Sequence, residues 1–314
     1  MFFHSQNLIN PIVVDKPDPS AANALQEGLG GQFGEMRTMM QYLFQSFNFR
    51  GDGTPFLDLI QGVAIEEISH VELISKTISQ LLDGAPEYHG KKFEAPGKGG
   101  VATMEMAKEQ QNPHHFIVGA QGALPVDAAG NPWSGSYVHC NGNLVLDLLD
   151  NLVLESTGRL QKCRIYQMSD NKTLRATVAF LIVRDEAHEM AFAKALETLG
   201  VEWNKLLPIP KFDSSQYPEV KKLIDAGVNR EQYHFRLDSS EMAAIYSGSA
   251  PANDGTELVT LPVPKQAYPI PSAPERPEEF APGLDPELQA LADALVEAKT
   301  KIQSSEKNGR SKKK

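Results

Sequence analysis

Four long stretches of the chain carry apolar residues at intervals of three and four, the pattern of helices that bury one face. Turn residues separate them, such as the Thr54-Pro55 start of the second and the Ser169-Asp170-Asn171 break before the fourth. We predict helices at 18–48, 54–84, 142–169 and 171–200. Helices of this length exceed the mean of about 11–12 residues in globular proteins and are typical of helical bundles.

The connections between these helices differ in length. Short turns join the first to the second and the third to the fourth, which predicts two antiparallel hairpins. The segment 85–141, rich in Gly, Pro, Asn and His, lies between the hairpins and must cross the length of the bundle. A single long crossover is typical of the ferritin-like fold. The predicted fold class is therefore an all-α, ferritin-like four-helix bundle, followed by an extended C-terminal tail.

The chain after residue 248 has a different composition. We assign residues 1–248 to the bundle domain and residues 249–303 to an extended, proline-rich tail. Within that tail Leu288, Leu291 and Leu295 predict a short amphipathic helix, which we expect to contact a second subunit. The basic segment 304–314 is predicted to be disordered.

Composition narrows the function classes. The net charge is −10, and the basic surface of a nucleic-acid-binding protein is not expected. Two cysteines form neither a disulfide framework nor a cysteine zinc site, which favours a reducing compartment. We find no signal peptide and no apolar run of about 18 residues. The expectation is a cytoplasmic protein with neither a membrane nor a nucleic acid as partner.

Each predicted helix has an acid or a histidine where a core residue should lie. The fourth helix has Asp185 and His188 on its apolar face, and the second has Glu67 and His70, again three residues apart. The third helix contributes Glu155 and the first Glu35, among Met36, Met39, Tyr42 and Leu43. Burying an unpaired carboxylate costs several kcal/mol, and a metal centre along the bundle axis removes that cost.

Dinuclear carboxylate bundles use one Glu from each of two helices and a Glu-x-x-His pair from each of the others. That pattern assigns Glu35, Glu67 with His70, Glu155, and Asp185 with His188 to one centre. Oxygen and nitrogen ligands suit manganese or iron, and the ligand types do not separate the two metals. A core in which these groups merely form ion pairs is the alternative interpretation.

Neighbouring polar residues are open to two interpretations. Lys162, seven residues after Glu155, is either a cation beside the site or a surface lysine at a helix end. Tyr42, seven residues after Glu35, is either a hydrogen-bond donor to a ligand carboxylate or a buried structural tyrosine. Glu66 and Glu72 point away from this face on the helical wheel, and we expect both on a solvated surface.

The sequence resembles the manganese catalase family over about residues 1–245. The resemblance is carried by the following segments: Gly34-Glu35-Met36, Glu66–Glu72, Gly130–Trp133, Leu154-Glu155 and Arg184–Ala191. It implies that Glu35, Glu67, His70, Glu155 and His188 are the protein ligands of two manganese ions, with Glu67 as the bridge. Asp185 is then a neighbour of the ligands. One branch of the family has Arg where this chain has Leu154, so Lys162 is the expected cation.

The resemblance also implies the reaction. It is the disproportionation of hydrogen peroxide to water and dioxygen, with the centre cycling between Mn(II)/Mn(II) and Mn(III)/Mn(III). Because protons move in each half of that reaction, we expect Glu35 to act as an acid and base and Lys162 to position peroxide. A homohexamer and a calcium ion near Asp58 are further expectations from the resemblance.

Two other functions stay open at this point. A di-iron ferritin-like oxidase or iron-handling protein would use the same bundle, although Asp185 in place of Glu speaks mildly against it. A non-catalytic scaffold whose core polar groups only pair with each other is the second.

Overall fold

A computed structural model describes residues 3–82, 114–119, 122–206, 213–247, 257–271 and 285–311. The α-helices are α1 (Pro19–Gly30), α2 (Glu35–Phe47), α3 (Thr54–Leu81), α4 (His114–Gly119), α5 (Leu144–Met168), α6 (Lys172–Thr198), α7 (Trp203–Leu206), α8 (Pro218–Asp225), α9 (Ala243–Ser247) and α10 (Pro286–Ser311). The strands are β1 (Asn7–Leu8), β2 (Glu231–Tyr233), β3 (Val259–Leu261) and β4 (Tyr268–Pro269).

The long helices α2, α3, α5 and α6 form the predicted bundle. α2 packs along α3 and α5 along α6, and α3 and α6 join the two pairs. Side chains cap both helices of the second pair, since Asn143 accepts from Leu146 N and Asn171 accepts from Thr173 N and Leu174 N. The all-α bundle is therefore confirmed. Most of the predicted crossover and the last residues of the predicted second helix lie outside the described residues.

The helix predicted at 18–48 is in fact two helices, α1 and α2, separated by residues 31–34. The glycines at this break are in close contact with other backbone. A Cβ on Gly30 would lie 2.2 Å from Val126 O, and one on Gly34 would lie 2.7 Å from Gly28 O. The apolar spacing continues across the break, which is why periodicity alone predicts one helix.

The break determines where Glu35 lies. Because α2 begins at Glu35, this carboxylate occupies the N-terminal turn of a helix, where unpaired backbone N–H groups favour negative charge. The segment that closes against the break comes from the crossover, and Gln26 Nε2 donates to Val126 O at 2.7 Å.

The buried core consists of two apolar clusters, one towards each end of the bundle. In α3, Ile60 belongs to one cluster and Ile74 to the other. In α6, Leu181 and Phe192 divide in the same way. The polar residues predicted from the sequence lie between these positions, so water-excluding layers enclose them from both ends.

The C-terminal region departs from the prediction in one respect. Residues 304–311, predicted to be disordered, continue the helix α10. The segment contains one Glu, one Lys and one Arg among Ser, Asn and Gly residues, so local propensity does not predict this part of the helix. α10 belongs to a compact unit distinct from the one that ends at residue 271.

Two small sheets complete the first compact unit. β1 pairs with β4 in antiparallel orientation, and β2 pairs with β3 in parallel. The described part of the proline-rich segment before residue 271 is thus extended chain paired with the body. Within the described residues, no helix has the length and apolar content needed to cross a membrane.

Candidate metal centre

Five buried side chains from four helices meet between the two core clusters. Two sets of three donor atoms lie within 4.8 Å of one another: one from Glu35, Glu67 and His70, the other from Glu67, Glu155 and His188. None of the five is more than 1% exposed. Because Glu67 belongs to both sets, it would be a ligand common to both ions.

Helical geometry produces this arrangement. Glu67 and His70 are one turn apart on α3, so both point to the same side. Glu155 on α5 and His188 on α6 approach from the second hairpin, and Glu35 enters from the first turn of α2. The structure therefore brings together all five residues that the resemblance implied as ligands.

Each imidazole turns its Nδ1 atom to the shared carboxylate. His70 Nδ1 lies 3.1 Å from Glu67 Oε2, and His188 Nδ1 lies 3.0 Å from Glu67 Oε1. The same atoms lie 3.8 Å from Glu35 Oε2 and 3.5 Å from Glu155 Oε1, respectively. Nδ1 is thus the candidate ligand atom of both histidines.

The residues fit a metal centre. Glu67 Oε1 and His188 Nδ1 are buried and close, yet neither has a hydrogen bond with acceptable geometry among the described residues. A buried acceptor without a donor is costly, and a divalent cation between these atoms would satisfy both. Three carboxylates and two imidazoles are also the hard and borderline donors that manganese or iron binds.

Lys162 lies directly against this centre. Its Nζ is 2.9 Å from Glu35 Oε1 and 2.6 Å from Asp185 Oδ2, and the residue is buried. Gly158 makes room for it, since a Cβ there would lie 3.3 Å from Lys162 Nζ. The alternative of a surface lysine at a helix end is therefore wrong.

The charges of this group are coupled. Burial lowers the pKa of Lys162, but the carboxylates of Asp185 and Glu35 raise it by more, and Lys162 remains an ammonium. Burial raises the pKa of Glu35, whereas Lys162 and His70 lower it by more, so Glu35 is ionised. Asp185 contributes to neither donor set and contacts Lys162, as expected for a neighbour of the ligands.

Two hydroxyl groups hold the carboxylates of candidate ligands. Tyr42 Oη donates to Glu155 Oε1 at 2.7 Å, and burial together with Glu155 raises the pKa of this phenol well above its usual value. Thr38 Oγ1 donates to Glu67 Oε2 at 2.9 Å. Tyr42 was a candidate from its spacing. Thr38 was missed, although it lies one turn after Glu35 on the same helix face.

The predicted position of Glu66 was wrong. We expected it on a solvated surface, but it is 1% exposed and pairs with Arg184 through Nε at 2.5 Å and Nη2 at 3.0 Å. The reason is that β2 covers this face of α3. Gly62, one turn before Glu66, permits the approach, since a Cβ there would lie 2.5 Å from Tyr233 O. Glu72 remains partly exposed and pairs with His4 at 2.9 Å.

Two further cations lie near sequence candidates. Arg159 pairs with Glu189 at 2.6 Å, so Lys162 is the cation that contacts a candidate ligand. Asp58, the residue near which calcium was expected, accepts from Arg236 Nη1 at 2.6 Å and from Ser240 Oγ at 2.8 Å. The charge of Asp58 is therefore balanced by an arginine.

Comparison with known proteins decides between the functions left open by the sequence. The profile of the family described as manganese containing catalase matches residues 1–302. The chain belongs to this family. A manganese catalase from Bacillus subtilis is 41% identical over 209 residues, which cover 66% of this chain and 74% of the relative. One from Lactiplantibacillus plantarum is 33% identical over 222 residues, covering 70% and 81%.

A solved structure supports the same fold. The crystal structure of a manganese catalase from Anabaena superposes with a TM-score of 0.54 at 23% identity, covering 82% of this chain and 99% of that one. The family resemblance, the ferritin-like fold and the assignment to catalases are confirmed. Nothing in these comparisons favours a di-iron protein or a scaffold.

Proposed function

We propose that the protein disproportionates hydrogen peroxide to water and dioxygen at two manganese ions held by Glu35, Glu67, His70, Glu155 and His188. The observation that carries this proposal is the pair of buried donor sets sharing Glu67, in a chain of the manganese catalase family. When bound, two manganese ions supply the two-electron redox chemistry, between Mn(II)/Mn(II) and Mn(III)/Mn(III), that the reaction requires.

The residues around the ligands manage protons and orientation. Glu35 has Lys162 Nζ 2.9 Å from Oε1 and the imidazole of His70 3.8 Å from Oε2, and it is the candidate acid and base. Lys162 remains charged between Glu35 and Asp185, so it can position peroxide and stabilise negative charge that develops beside Glu35. Tyr42 fixes the orientation of Glu155.

The decisive test combines elemental analysis with oxygen release. The purified chain is expected to contain two manganese ions and to release one dioxygen for every two peroxides consumed. Metal-stripped protein reloaded with Mn(II) should recover activity, and protein reloaded with Fe(II) should not. A chain that binds no transition metal, or that binds iron and lacks catalase activity, contradicts the proposal.

We further propose that the chain forms a homo-oligomer, a hexamer by family resemblance, in the cytoplasm. Support comes from α10, whose Leu288, Leu291 and Leu295 form a stripe with exposed fractions of 55%, 57% and 63%. Deleting residues 250–314 should lower the number of subunits per particle, as measured by sedimentation. An unchanged oligomer would rule out a role of this segment in assembly. Calcium stays an expectation, and at Asp58 it would have to displace Arg236.

A further inference from the structure

The two candidate histidine ligands share one carboxylate on the side that faces away from Glu67. His70 Nε2 lies 3.3 Å from Glu66 Oε1, and His188 Nε2 lies 3.2 Å from Glu66 Oε2. Both contacts are at ion-pair distance, and neither nitrogen has another hydrogen-bond partner among the described residues. Their Nδ1 atoms face Glu67 instead. The imidazole rings themselves are stacked, with centroids 5.8 Å apart, so a single group can span both.

Glu66 cannot swing away from this position. Arg184 holds both of its oxygens, with Nε at 2.5 Å from Oε1 and Nη2 at 3.0 Å from Oε2. Such a two-pronged contact fixes the plane of the carboxylate as well as its distance. Each oxygen of Glu66 therefore contacts one guanidinium nitrogen and one imidazole nitrogen.

Arg184 is in turn held by a segment outside the bundle. Its Nη1 donates to Val228 O at 2.6 Å, and its guanidinium carbon lies 4.5 Å from the centroid of the Tyr233 ring. The Tyr233 hydroxyl donates to Glu231 at 2.6 Å. Arg184 and Glu66 are both at most 1% exposed, so this support is rigid and excluded from water.

We propose that Glu66, held by Arg184, is a positioning residue for both histidine ligands and sets the affinity of both manganese ions together. A carboxylate beside Nε2 keeps the proton on that nitrogen, which leaves Nδ1 free to bind metal and fixes the ring orientation. The inference rests on the proposed function, because it presupposes two ions.

This role has a signature that distinguishes it from the other residues. His70 belongs to one donor set and His188 to the other, and Glu66 contacts both. Glu35 and Glu155 each belong to a single set. Loss of Glu66 must therefore weaken the binding of both ions by similar factors. Loss of Glu35 or Glu155 must weaken the binding of one ion more than that of the other.

The test is a titration of the full, metal-stripped chain with Mn(II) alone, reading free Mn(II) by electron paramagnetic resonance. Glu66→Gln is expected to raise both dissociation constants by about 10–100-fold, the usual effect of losing a carboxylate behind a ligand histidine. Arg184→Lys keeps the charge and loses the two-pronged contact, so it should raise both constants by a smaller factor. Glu35→Gln should act mainly on one constant.

Glu72→Gln is the matched control. The carboxylate of Glu72 lies on the same helix but contacts His4 and neither candidate histidine ligand. Both dissociation constants of this variant should therefore equal those of the parent. Glu66→Asp covers the case in which Glu66→Gln fails to fold. It retains the charge opposite Arg184 and withdraws the carboxylate from both imidazoles by one methylene, so both constants should again rise.

The outcomes separate the two proposals. A parent chain that binds no Mn(II) defeats the proposed function and this inference with it. A parent that binds two ions, with a folded Glu66→Asp or Glu66→Gln variant whose constants stay within about twofold of the parent, overturns the inference alone. A Glu66 variant that weakens the binding of only one ion also overturns the inference.

Discussion

The candidate centre has a buried cation on each of two sides, and the two sides differ. On one side Lys162 contacts Glu35, a candidate ligand, directly at 2.9 Å. On the other side Arg184 contacts Glu66, which in turn contacts the histidines. A lysine is a point charge on a flexible stem, whereas an arginine is a rigid fork. The lysine side therefore suits chemistry with a substrate, and the arginine side suits holding the ligands still.

The largest expected effect comes from removing the group common to both sides. Glu67→Ala deletes the carboxylate that belongs to both donor sets, and both ions should be lost along with all oxygen release. Metal content after dialysis and oxygen evolution measure this. Glu72→Ala on the same helix should retain both. A Glu67→Ala variant with full metal content and activity contradicts the site assignment.

The next effect separates the two sides. Lys162→Ala should retain manganese and lower kcat by about 10²-fold, because a positioned charge beside the reacting groups is removed. Measured together, metal content and kcat decide whether this side serves chemistry. A Lys162→Ala variant that loses its metal instead shows that Lys162 holds the ligands, and the contrast with Arg184 disappears.

A smaller effect is expected at Tyr42. Tyr42→Phe removes the only described hydrogen bond from this phenol and leaves Glu155 Oε1 without its donor, which costs about 1–3 kcal/mol. We expect about tenfold weaker binding of one manganese ion, measured by Mn(II) titration. Equal weakening of both ions would mean that Tyr42 acts on the centre as a whole, as we propose for Glu66.

The smallest effect shows whether the core around Lys162 stays inaccessible to a reagent from solution. Cys163 follows Lys162 and is buried, and burial raises the pKa of its thiol to about 11. Iodoacetamide at neutral pH should modify the exposed Cys140 and leave Cys163 intact, as read by mass spectrometry. If Lys162→Ala exposes Cys163 to the reagent, its loss of turnover reflects opening of the core rather than a missing charge.

The lysine side was largely predictable from the sequence, and the arginine side was not. Glu35, Glu67 and Glu155 interrupt apolar stripes within their own helices, so periodicity alone identifies them. The spacing of Lys162 along the helix that carries Glu155 made it a candidate, with a surface lysine as the alternative. These relations are local to one helix, which is what a helical repeat can report.

The burial of Glu66 depends on chain that is distant in sequence. Its face of α3 is covered by β2, which has no helical repeat and lies beyond the fourth bundle helix. The one local signal was Gly62, a glycine one turn before Glu66 in a long helix, which marks close approach of another backbone. The break at 31–34 was likewise hidden, because apolar spacing continues through it.

The hydrogen bond from Arg184 to Val228 O has a consequence for the order of biosynthesis. The last candidate ligand, His188, leaves the ribosome well before Val228, so a nascent chain holds every ligand before it holds the segment behind Arg184. Until residues 228–233 dock, the imidazoles lack their rigid support. The final geometry of the candidate ligands therefore depends on a segment that is translated after the last of them.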